Sequence, residues 1–514
     1  MIGGGNHMHR FMSGLFCWLF VLVSELLAQP HLLEASIEDL QALLDEGDIT
    51  SVELVTWYQQ RIDNYDQQGP TLNAIQHHNS SALAQAKALD EERERSGSRS
   101  LLHGIPVLVK DNYETIDMPT TVGSAIIDGH WPKRDATQVA RLRAAGAIML
   151  AKTTMHEFAY GWTTRGSAFG VTRNPYGPER HPGGSSGGTG AAVAANFGAV
   201  GLGSDTCGSI RVPAAHNNLF GLRGTQGISS RAGIVPLSSS RDIGGPLARS
   251  VRDLAITLDA TVGYDPLDVQ TAESFAKIPD SYLNELRQVD LAGWRIGVLA
   301  DWFGDEPQHS GVNDRIEHLL TELSNAGASI VRLTSPALTV MKAESAAPGA
   351  FFVDDYDMKR DLSAYLQRYP ALPVQSFMEL AKDERLSRDV VSLWEGILSA
   401  NYDSRQTYLE RHADGREMRT ELLMLLQAND LDVLAYPTAT EEAVKLGEEQ
   451  SHFNCKLAAA SGLPAISVPA GFGNYEMPVA LELLAESWAE QELLNLAYTI
   501  EQLAPARKPP RHTP

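Results

Sequence analysis

Residues 182–211 read PGGSSGGTGAAVAANFGAVGLGSDTCGSIR and join two glycine-rich turns through an alanine-rich segment. Residues 189–197 predict a short helix, and residues 199–204 predict a buried strand. A nine-residue helix rises about 13 Å, and a six-residue strand that runs back covers roughly 20 Å. This path can return Ser185 and Ser209, one from each turn, to the same end of a sheet.

A lysine stands at the end of another apolar run. Residues 107–109 are all aliphatic, and Lys110 follows them directly. If burial disfavours its ammonium form, Lys110 can be neutral at pH ~7–8. A neutral amine can take a proton from Ser209 through Ser185, and a serine nucleophile needs such a base. The three side chains therefore predict a serine hydrolase whose base is a lysine.

The turn that carries Ser209 can supply backbone donors. Thr206, Cys207, Gly208 and Ser209 lie between a predicted strand and a predicted helix. Their N–H groups could point at an oxyanion that develops on a substrate carbonyl. Small residues in the turn would let the substrate approach the backbone closely.

Two charged residues flank this turn, and one cysteine lies inside it. For Asp205 and Arg211, a buried ion pair that supports the turn is expected rather than direct catalysis. Cys207 is interpreted as a small residue that the turn tolerates. A cysteine nucleophile would need its own lowered pKa and its own partner.

Helices and buried strands alternate along the chain. Thr50 and Glu53 have capping-box spacing at the start of one helix. The predicted helices are residues within 36–100, 136–145, 189–197 and 488–503. The predicted strands are residues 105–109, 147–151, 199–204, 431–436 and 464–469. This alternation predicts an α/β protein with a largely buried sheet.

Length, composition and charge exclude some classes of protein. The chain has 514 residues, of which 43% are hydrophobic and 21% charged, as in ordinary globular proteins. A formal net charge of −22 argues against non-specific nucleic-acid binding. Only three cysteines are present, so no disulfide framework is predicted.

The first 28 residues have the pattern of a secretory signal peptide. Arg10 precedes a largely apolar run over residues 11–23, and Ala28 is a plausible cleavage position. We therefore expect a periplasmic or secreted enzyme without a stable membrane span after cleavage. An uncleaved anchor, or a misassigned start codon upstream of a cytoplasmic enzyme, are the alternatives.

The rest of the chain is interpreted as one domain over residues 33–504. Residues 265–430 are more polar and helical in pattern, and are expected to lie over the core as a variable region that shapes the substrate pocket. Residues 505–514 contain four prolines and several basic residues. This tail is predicted to be disordered.

The chain resembles the amidase signature family in an ordered set of motifs, and the similarity covers roughly residues 36–503. Besides the block 182–211, the matching motifs are His103-Gly104-Ile105-Pro106, Lys110-Asp111-Asn112, Lys152-Thr153, Asn174-Pro175, Gly221-Leu222-Arg223, Gly233-Ile234-Val235-Pro236, Gly245-Pro246-Leu247-Ala248-Arg249-Ser250 and Ser461-Gly462-Leu463-Pro464-Ala465. A short Gly-Ser run alone would be weak evidence, but the ordered set is specific.

The resemblance implies a fold and a mechanism. The fold is one α/β domain with a large mixed sheet between helices, and neither a metal nor a cofactor is expected. Ser209 would be the acyl-forming nucleophile, Ser185 the proton shuttle after a cis peptide bond from Gly184, and Lys110 the base. Two residues depart from the family: Cys207 stands where glycine is usual, and Arg223 stands where lysine is common.

The expected activity is hydrolysis of a carboxamide C–N bond to a carboxylate and ammonia or an amine. The substrate would be a small-molecule or peptide amide; peptide, aryl and fatty acyl amides all remain open. A homodimer is one option for the assembly. One alternative is the glutaminase subunit of a transfer-RNA amidotransferase, which works in the cytoplasm with partner subunits. Another is a non-catalytic binding protein on an amidase scaffold.

A histidine-based hydrolase is a further alternative. Residues 183–187 also satisfy G-x-S-x-G, the nucleophile-elbow pattern of α/β-hydrolases. That interpretation needs a downstream histidine in a matching context. The downstream candidates stand in no recognisable motif, and they are His216, His309, His318, His412 and His452.

Overall fold

One large sheet forms the centre of the protein. The computed structural model describes residues 31–346, 353–399, 405–448, 450 and 453–514. Eleven of the described strands join this sheet, and β4 and β5 form a separate two-stranded ribbon. In chain order the strands are β1 (Ile75–His78), β2 (Pro106–Lys110), β3 (Ile148–Thr153), β4 (Arg165–Gly166), β5 (Gly170–Val171), β6 (Val200–Asp205), β7 (Phe220–Arg223), β8 (Ile243–Ala248), β9 (Arg295–Leu299), β10 (Ser329–Leu333), β11 (Val433–Pro437), β12 (Ala465–Phe472) and β13 (Pro478–Leu484).

The sheet is mixed, as the family resemblance implies. Its order is β1-β3-β2-β6-β8-β7-β12-β13-β11-β9-β10. Strand β2 runs parallel to both β3 and β6, and β9 runs parallel to both β10 and β11. The middle of the sheet, from β6 through β13, is antiparallel. The predicted fold class is therefore confirmed.

Helices flank the sheet. They are α1 (Ile37–Glu46), α2 (Ser51–Tyr65), α3 (Ala82–Ser96), α4 (Thr137–Ala144), α5 (Gly187–Ala194), α6 (Arg211–His216), α7 (Val251–Thr261), α8 (Ser310–Asn325), α9 (Pro336–Ala346), α10 (Val353–Gln367), α11 (Phe377–Leu380), α12 (Arg388–Ser399), α13 (Arg405–Ala428), α14 (Lys456–Ser461) and α15 (Glu490–Leu503). The predicted capping box of Thr50 and Glu53 is present at the start of α2, where the Thr50 side chain accepts a hydrogen bond from Glu53 N.

Among the described residues, no helix is both long and apolar enough to cross a membrane. The predicted signal peptide lies outside the described residues.

The return path between the two glycine-rich turns exists. Helix α5 and strand β6 follow one another as the sequence predicts, and α5 packs against β2 and β6. Because β2 and β6 are parallel neighbours, Lys110 at the end of β2 and Asp205 at the end of β6 lie at the same edge of the sheet. Clefts at the carboxyl ends of parallel strands are the usual ligand sites of such sheets.

The region 265–430 does more than cover the core. Strands β9 and β10 belong to it and extend the sheet, which the sequence pattern missed. Residues of β10 are exposed or half-buried because the strand lies at the edge, so no buried apolar run marks it. Helices α10 to α12 fit the expectation better, because they build a separate apolar cluster around Trp394 that packs on Phe158 and Val122.

The C-terminal tail is held against the body, so the predicted disorder of residues 505–514 is wrong. Arg507 forms an ion pair with Glu34 at 2.7 Å. Arg61 donates from Nη2 to the carbonyl oxygen of Thr513 at 2.7 Å. These partners lie more than 400 positions away along the chain, so a local composition rule could not find them.

We expect Arg507→Ala to destabilise the fold, because it leaves the mostly buried carboxylate of Glu34 without its ion-pair partner. Losing one side of such a pair should cost about 2–3 kcal/mol, or about 2–3 °C in the unfolding midpoint of a chain of this size. Arg511 is the matched control, because it pairs with Glu476 on the surface. The side chain of Arg511 is 69% exposed and that of Glu476 is 71% exposed. Arg511→Ala should cost under ~0.5 kcal/mol. Equal midpoints for the two variants in thermal unfolding would contradict the docked tail.

Candidate active site

Lys110 and Ser185 are in direct contact. The Nζ atom of Lys110 lies 2.7 Å from Ser185 Oγ and 2.9 Å from Ser204 Oγ. Both Lys110 and Ser185 are fully buried. Asn112 donates to the same Ser204 hydroxyl at 2.9 Å and orients it. The predicted base and the predicted shuttle therefore form a hydrogen-bonded pair.

The charge state of Lys110 suits a base. Burial lowers the pKa of Lys110 to about 7, although Asp205 and Asp242 act to raise it. A large fraction of this lysine is then neutral near neutral pH, whereas an exposed lysine has a pKa of about 10.4. The neutral amine can accept a proton, so the sequence-based expectation for Lys110 agrees with its surroundings.

The next carboxylate in the chain points away from this amine, as expected. Asp111 Oδ2 accepts from Thr121 Oγ1 at 2.5 Å and from Gly123 N at 3.1 Å. Its Oδ1 lies 3.3 Å from the Nζ of Lys152, a second buried lysine on β3. Asp111 thus stabilises the charge of Lys152 and leaves Lys110 among hydroxyl groups.

The turn around Ser185 has an unusual backbone. The peptide bond between Gly184 and Ser185 is cis, as the family resemblance implies. Gly183 has φ +79°, and a Cβ on it would lie 3.1 Å from Pro213 Cα. Ser186 Oγ accepts from Ser204 N at 3.3 Å. The Ser185 turn is therefore wedged between α6 and the end of β6, the two elements that flank the turn of Ser209.

The turn of Ser209 is folded around Asp205. Asp205 Oδ1 accepts from Gly208 N at 2.8 Å, and its Oδ2 accepts from Ile210 N at 3.2 Å. Because its N–H is already donated, Gly208 is removed from the predicted oxyanion donors. Thr206, Cys207 and Ser209 stay predictions in that role.

The contact from Ser185 to Ser209 is not made in this structure. Within the described residues, no hydrogen bond links the hydroxyl groups of Ser185 and Ser209. The two turns nevertheless pack on each other, since Gly183 lies against Val212 and Pro213. Catalytic hydrogen bonds are often loose without substrate and tighten when it binds.

A buried charge network supports the turn. Asp205 pairs with Arg211 at 3.1 Å, as predicted, and also with Arg223 at 3.0 Å. Arg211 forms a second ion pair with Glu482 of β13. Burial acts to raise the pKa of Asp205, but the charges of Arg211 and Arg223 outweigh it and hold that pKa well below its usual range. Sequence analysis missed Glu482 and treated Arg223 only as a departure from the family.

A second carboxylate, which the sequence did not single out, holds the other end of the turn. Asp242 accepts from Thr206 Oγ1 at 2.6 Å and from the backbone N–H groups of Leu237 and Ser238 at 2.8 and 2.9 Å. Burial raises the pKa of Asp242 to about 6, while these hydrogen bonds act to lower it. Asp242 therefore titrates close to the range of Lys110.

The interpretation of Cys207 as a tolerated small residue is wrong, because Cys207 forms a disulfide that the sequence did not predict. Cys207 is bonded to Cys455, which directly precedes α14, with 5.2 Å between the Cα atoms. Gly208, with φ +84°, is needed here because a Cβ would lie 2.7 Å from Cys455 Cβ. The pair is 248 positions apart, so no local motif could reveal it.

Histidines do not take the base position. His216 is on α6, and burial lowers its pKa to about 3. Burial also lowers the pKa of His156 to about 3 and that of His181 to about 4. The hydroxyl of Ser185 is bonded to Lys110, so the nucleophile-elbow alternative has no support. His452 lies outside the described residues.

Among the residues that are described, no group of three or more His, Cys, Asp or Glu side chains could hold a metal ion.

Comparison with known proteins gives a consistent result. The model of the Amidase family matches residues 53–494. A probable amidase of Arabidopsis thaliana is 33% identical over 495 residues, covering 93% of this chain and 91% of the relative. A glutamyl-tRNA(Gln) amidotransferase subunit from Acinetobacter baylyi is 33% identical over 480 residues, with 91% and 95% covered. The crystal structure of a peptide amidase from Stenotrophomonas maltophilia has a TM-score of 0.84 and 34% identity, covering 93% of this chain and 99% of that one.

The pH dependence should report Lys110. Only neutral Lys110 accepts a proton, so kcat/KM should rise as pH increases through an apparent pKa of about 7. Asp242 favours the ammonium form, so Asp242→Asn should shift this limb to lower pH while Asn keeps the contact with Thr206. Lys110→Ala should lose nearly all activity because it removes the amine. Lys110→Arg should lose it too, because arginine stays protonated. If the limb vanishes in Asp242→Asn, Asp242 rather than Lys110 is the titrating group.

Proposed function

The chain belongs to the amidase family and is an amide-hydrolysing enzyme, and we propose that it works through an acyl-enzyme on Ser209. The observation that carries this proposal is the hydrogen bond from Lys110 to Ser185 at the edge of the sheet where Ser209 lies. A buried lysine that titrates near pH 7 and contacts hydroxyl groups is arranged as a base.

The acylation step follows from this arrangement. Neutral Lys110 takes the Ser185 proton while Ser185 takes the proton of Ser209, and Ser209 Oγ attacks the carbonyl carbon. Backbone N–H groups of Thr206, Cys207 and Ser209 are the proposed donors to the oxyanion. The proton then passes from Lys110 through Ser185 to the leaving nitrogen, and the C–N bond breaks.

Deacylation reverses the route with water in place of the amine. Water attacks the ester carbonyl on Ser209 while Lys110 again accepts a proton through Ser185. The collapse of the second tetrahedral intermediate releases the carboxylic acid, and the proton held by Lys110 returns through Ser185 to Ser209 Oγ. Each turnover consumes one water and yields one carboxylic acid and one ammonia or amine.

For the substrate, we propose peptide amides as the first class to test. The support is the likeness to the peptide amidase of Stenotrophomonas maltophilia over nearly the whole of both chains. Aryl and fatty acyl amides are the competing classes.

We propose export for the location of the enzyme. The support is the pattern of residues 1–28 together with the Cys207–Cys455 disulfide, because disulfides persist in oxidising compartments and are rare in the cytoplasm. The alternative that the Acinetobacter relative keeps open is a cytoplasmic glutaminase subunit. A disulfide would be unusual in such a subunit, because the cytoplasm is reducing.

The nucleophile can be tested by substitution. Ser209→Ala should reduce turnover by about four orders of magnitude or more, as removal of a covalent nucleophile does. With a slowly deacylating ester, mass spectrometry should find the acyl group on the peptide that contains Ser209. Ser274→Ala is the control, since it removes a buried hydroxyl bonded to Thr271 O at 2.7 Å outside the two serine turns. Retained turnover in Ser209→Ala would refute the proposal and favour a different nucleophile.

Export can be tested on protein recovered outside the cytoplasm. N-terminal sequencing should find a chain that begins near Gln29, and a thiol reagent should label neither Cys207 nor Cys455 until a reductant is added. An intact Met1 on a soluble cytoplasmic form whose Cys207 and Cys455 both react without reductant would contradict the proposal and revive the amidotransferase alternative.

A further inference from the structure

An aromatic pair lies beside the turn of the nucleophile. The rings of Trp162 and Phe453 have centroids 5.7 Å apart. Trp162 is 36% exposed although it also packs against another ring. Phe453 is half-buried, and its other neighbour is the ring of His216 at 6.2 Å. We name Trp162 and Phe453 the aromatic wall.

Trp162, one member of the aromatic wall, contacts the turns of both serines. The indole Nε1 of Trp162 donates to the carbonyl oxygen of Cys207 at 3.1 Å, two residues before Ser209. The backbone of Trp162 lies against Gly184, the residue before Ser185, because a Cβ on Gly184 would be 2.7 Å from Trp162 C. Trp162, which is partly exposed, therefore stands beside the turn in which Ser209 must meet the carbonyl of a substrate.

The disulfide fixes both members of the wall to one another. Cys207 holds the indole of Trp162 through its carbonyl, and Cys455 follows Phe453 by two positions. Between them, Asn454 donates its side-chain amide to Trp302 O at 2.8 Å and to Pro437 O at 2.7 Å. The segment of Phe453 is thus anchored to the rest of the protein. The disulfide ties Cys207, whose carbonyl accepts from Trp162, to that segment.

The chemistry of the wall indicates its ligand. The only polar atom of the indole side chain is already bonded, so the exposed surface offers ring faces and edges. Such surfaces bind aromatic and large aliphatic groups by stacking and by release of water. They offer little to a small polar group or to an anion.

We propose that the aromatic wall is a specificity subsite that takes an aromatic or large apolar side chain of the acyl part of the substrate. The acyl part is specified because a primary carboxamide releases ammonia, which carries no side chain. This inference rests on the proposed acyl-enzyme at Ser209, since the wall is placed relative to that residue. In a peptide amide, the group bound there is the side chain of the C-terminal residue.

The test compares two amides that differ only in this group, N-acetyl-phenylalaninamide and N-acetyl-alaninamide. The wild-type enzyme should prefer the phenylalanine amide. Trp162→Ala should lower kcat/KM at least about tenfold for the phenylalanine amide and less than about threefold for the alanine amide, because only the former loses buried ring contacts. Trp162→Phe should restore most of the preference, since it returns a ring.

Trp131→Ala is the matched control. Trp131 is also exposed, at 55%, and its indole also donates to a backbone carbonyl, that of Ile116, at 2.8 Å. Its variant should keep the wild-type ratio of the two kcat/KM values. Titration of Ser209 with a fluorophosphonate gives the concentration of folded sites, so a loss of folding is separated from a loss of selectivity.

The outcomes are distinct. An equal loss for both amides in Trp162→Ala, per titrated site, overturns the subsite while leaving the proposed function intact. A wild-type preference for the alanine amide also overturns it. If the wild-type enzyme hydrolyses neither amide and Ser209 takes up no fluorophosphonate, the proposed function fails, and the subsite fails with it.

Discussion

The candidate site depends on a lysine amine that is buried without a carboxylate in contact. Two buried lysines stand on neighbouring strands, and the difference between them shows the point. Lys152 has Asp111 at 3.3 Å, whereas the amine of Lys110 contacts the hydroxyls of Ser185 and Ser204. A carboxylate in contact would favour the ammonium form and remove the base. The turn at Asp111, which aims its carboxylate at Thr121, Gly123 and Lys152, is therefore as necessary to the site as Lys110 itself.

The same constraint explains the charge network behind the nucleophile turn. Asp205 is needed to hold the N–H groups of Gly208 and Ile210, but its negative charge also pulls the pKa of Lys110 upward. Arg211 and Arg223 lie closer to Asp205 than any other cations in the described network, and their charges oppose that pull. Glu482 in turn balances Arg211. A carboxylate can then organise the turn while the lysine remains able to lose its proton.

Sequence motifs predicted the parts of this site that carry a local pattern of their own. Lys110, Ser185 and Ser209 were predicted because glycine-rich turns and a short strand mark them, and Asp205 and Arg211 because they flank Ser209. Partners supplied by distant segments were not found: Glu482 from β13, Cys455 before α14, and Glu34 for Arg507. Each of these pairings becomes visible only when the sheet order is known, because the sheet brings residues hundreds of positions apart into contact. Strand β10 was missed for a different reason, since an edge strand lacks the continuous apolar run by which buried strands are recognised.

The nucleophile turn is held by two kinds of tether, and they serve different parts of the site. Asp205 and Asp242 fix the residues on either side of Cys207 through charged hydrogen bonds, which do not depend on the redox state of the surroundings. The bond from Cys207 to Cys455 leads instead to the segment of Phe453, and so to the aromatic wall. Reduction would therefore leave the supports of the catalytic turn in place and remove only the covalent link between that turn and the segment of Phe453. In the proposed mechanism, the catalytic turn thus rests on hydrogen bonds to Asp205 and Asp242 that a reductant does not break. The aromatic wall instead joins two segments through a covalent bond that an oxidising compartment maintains.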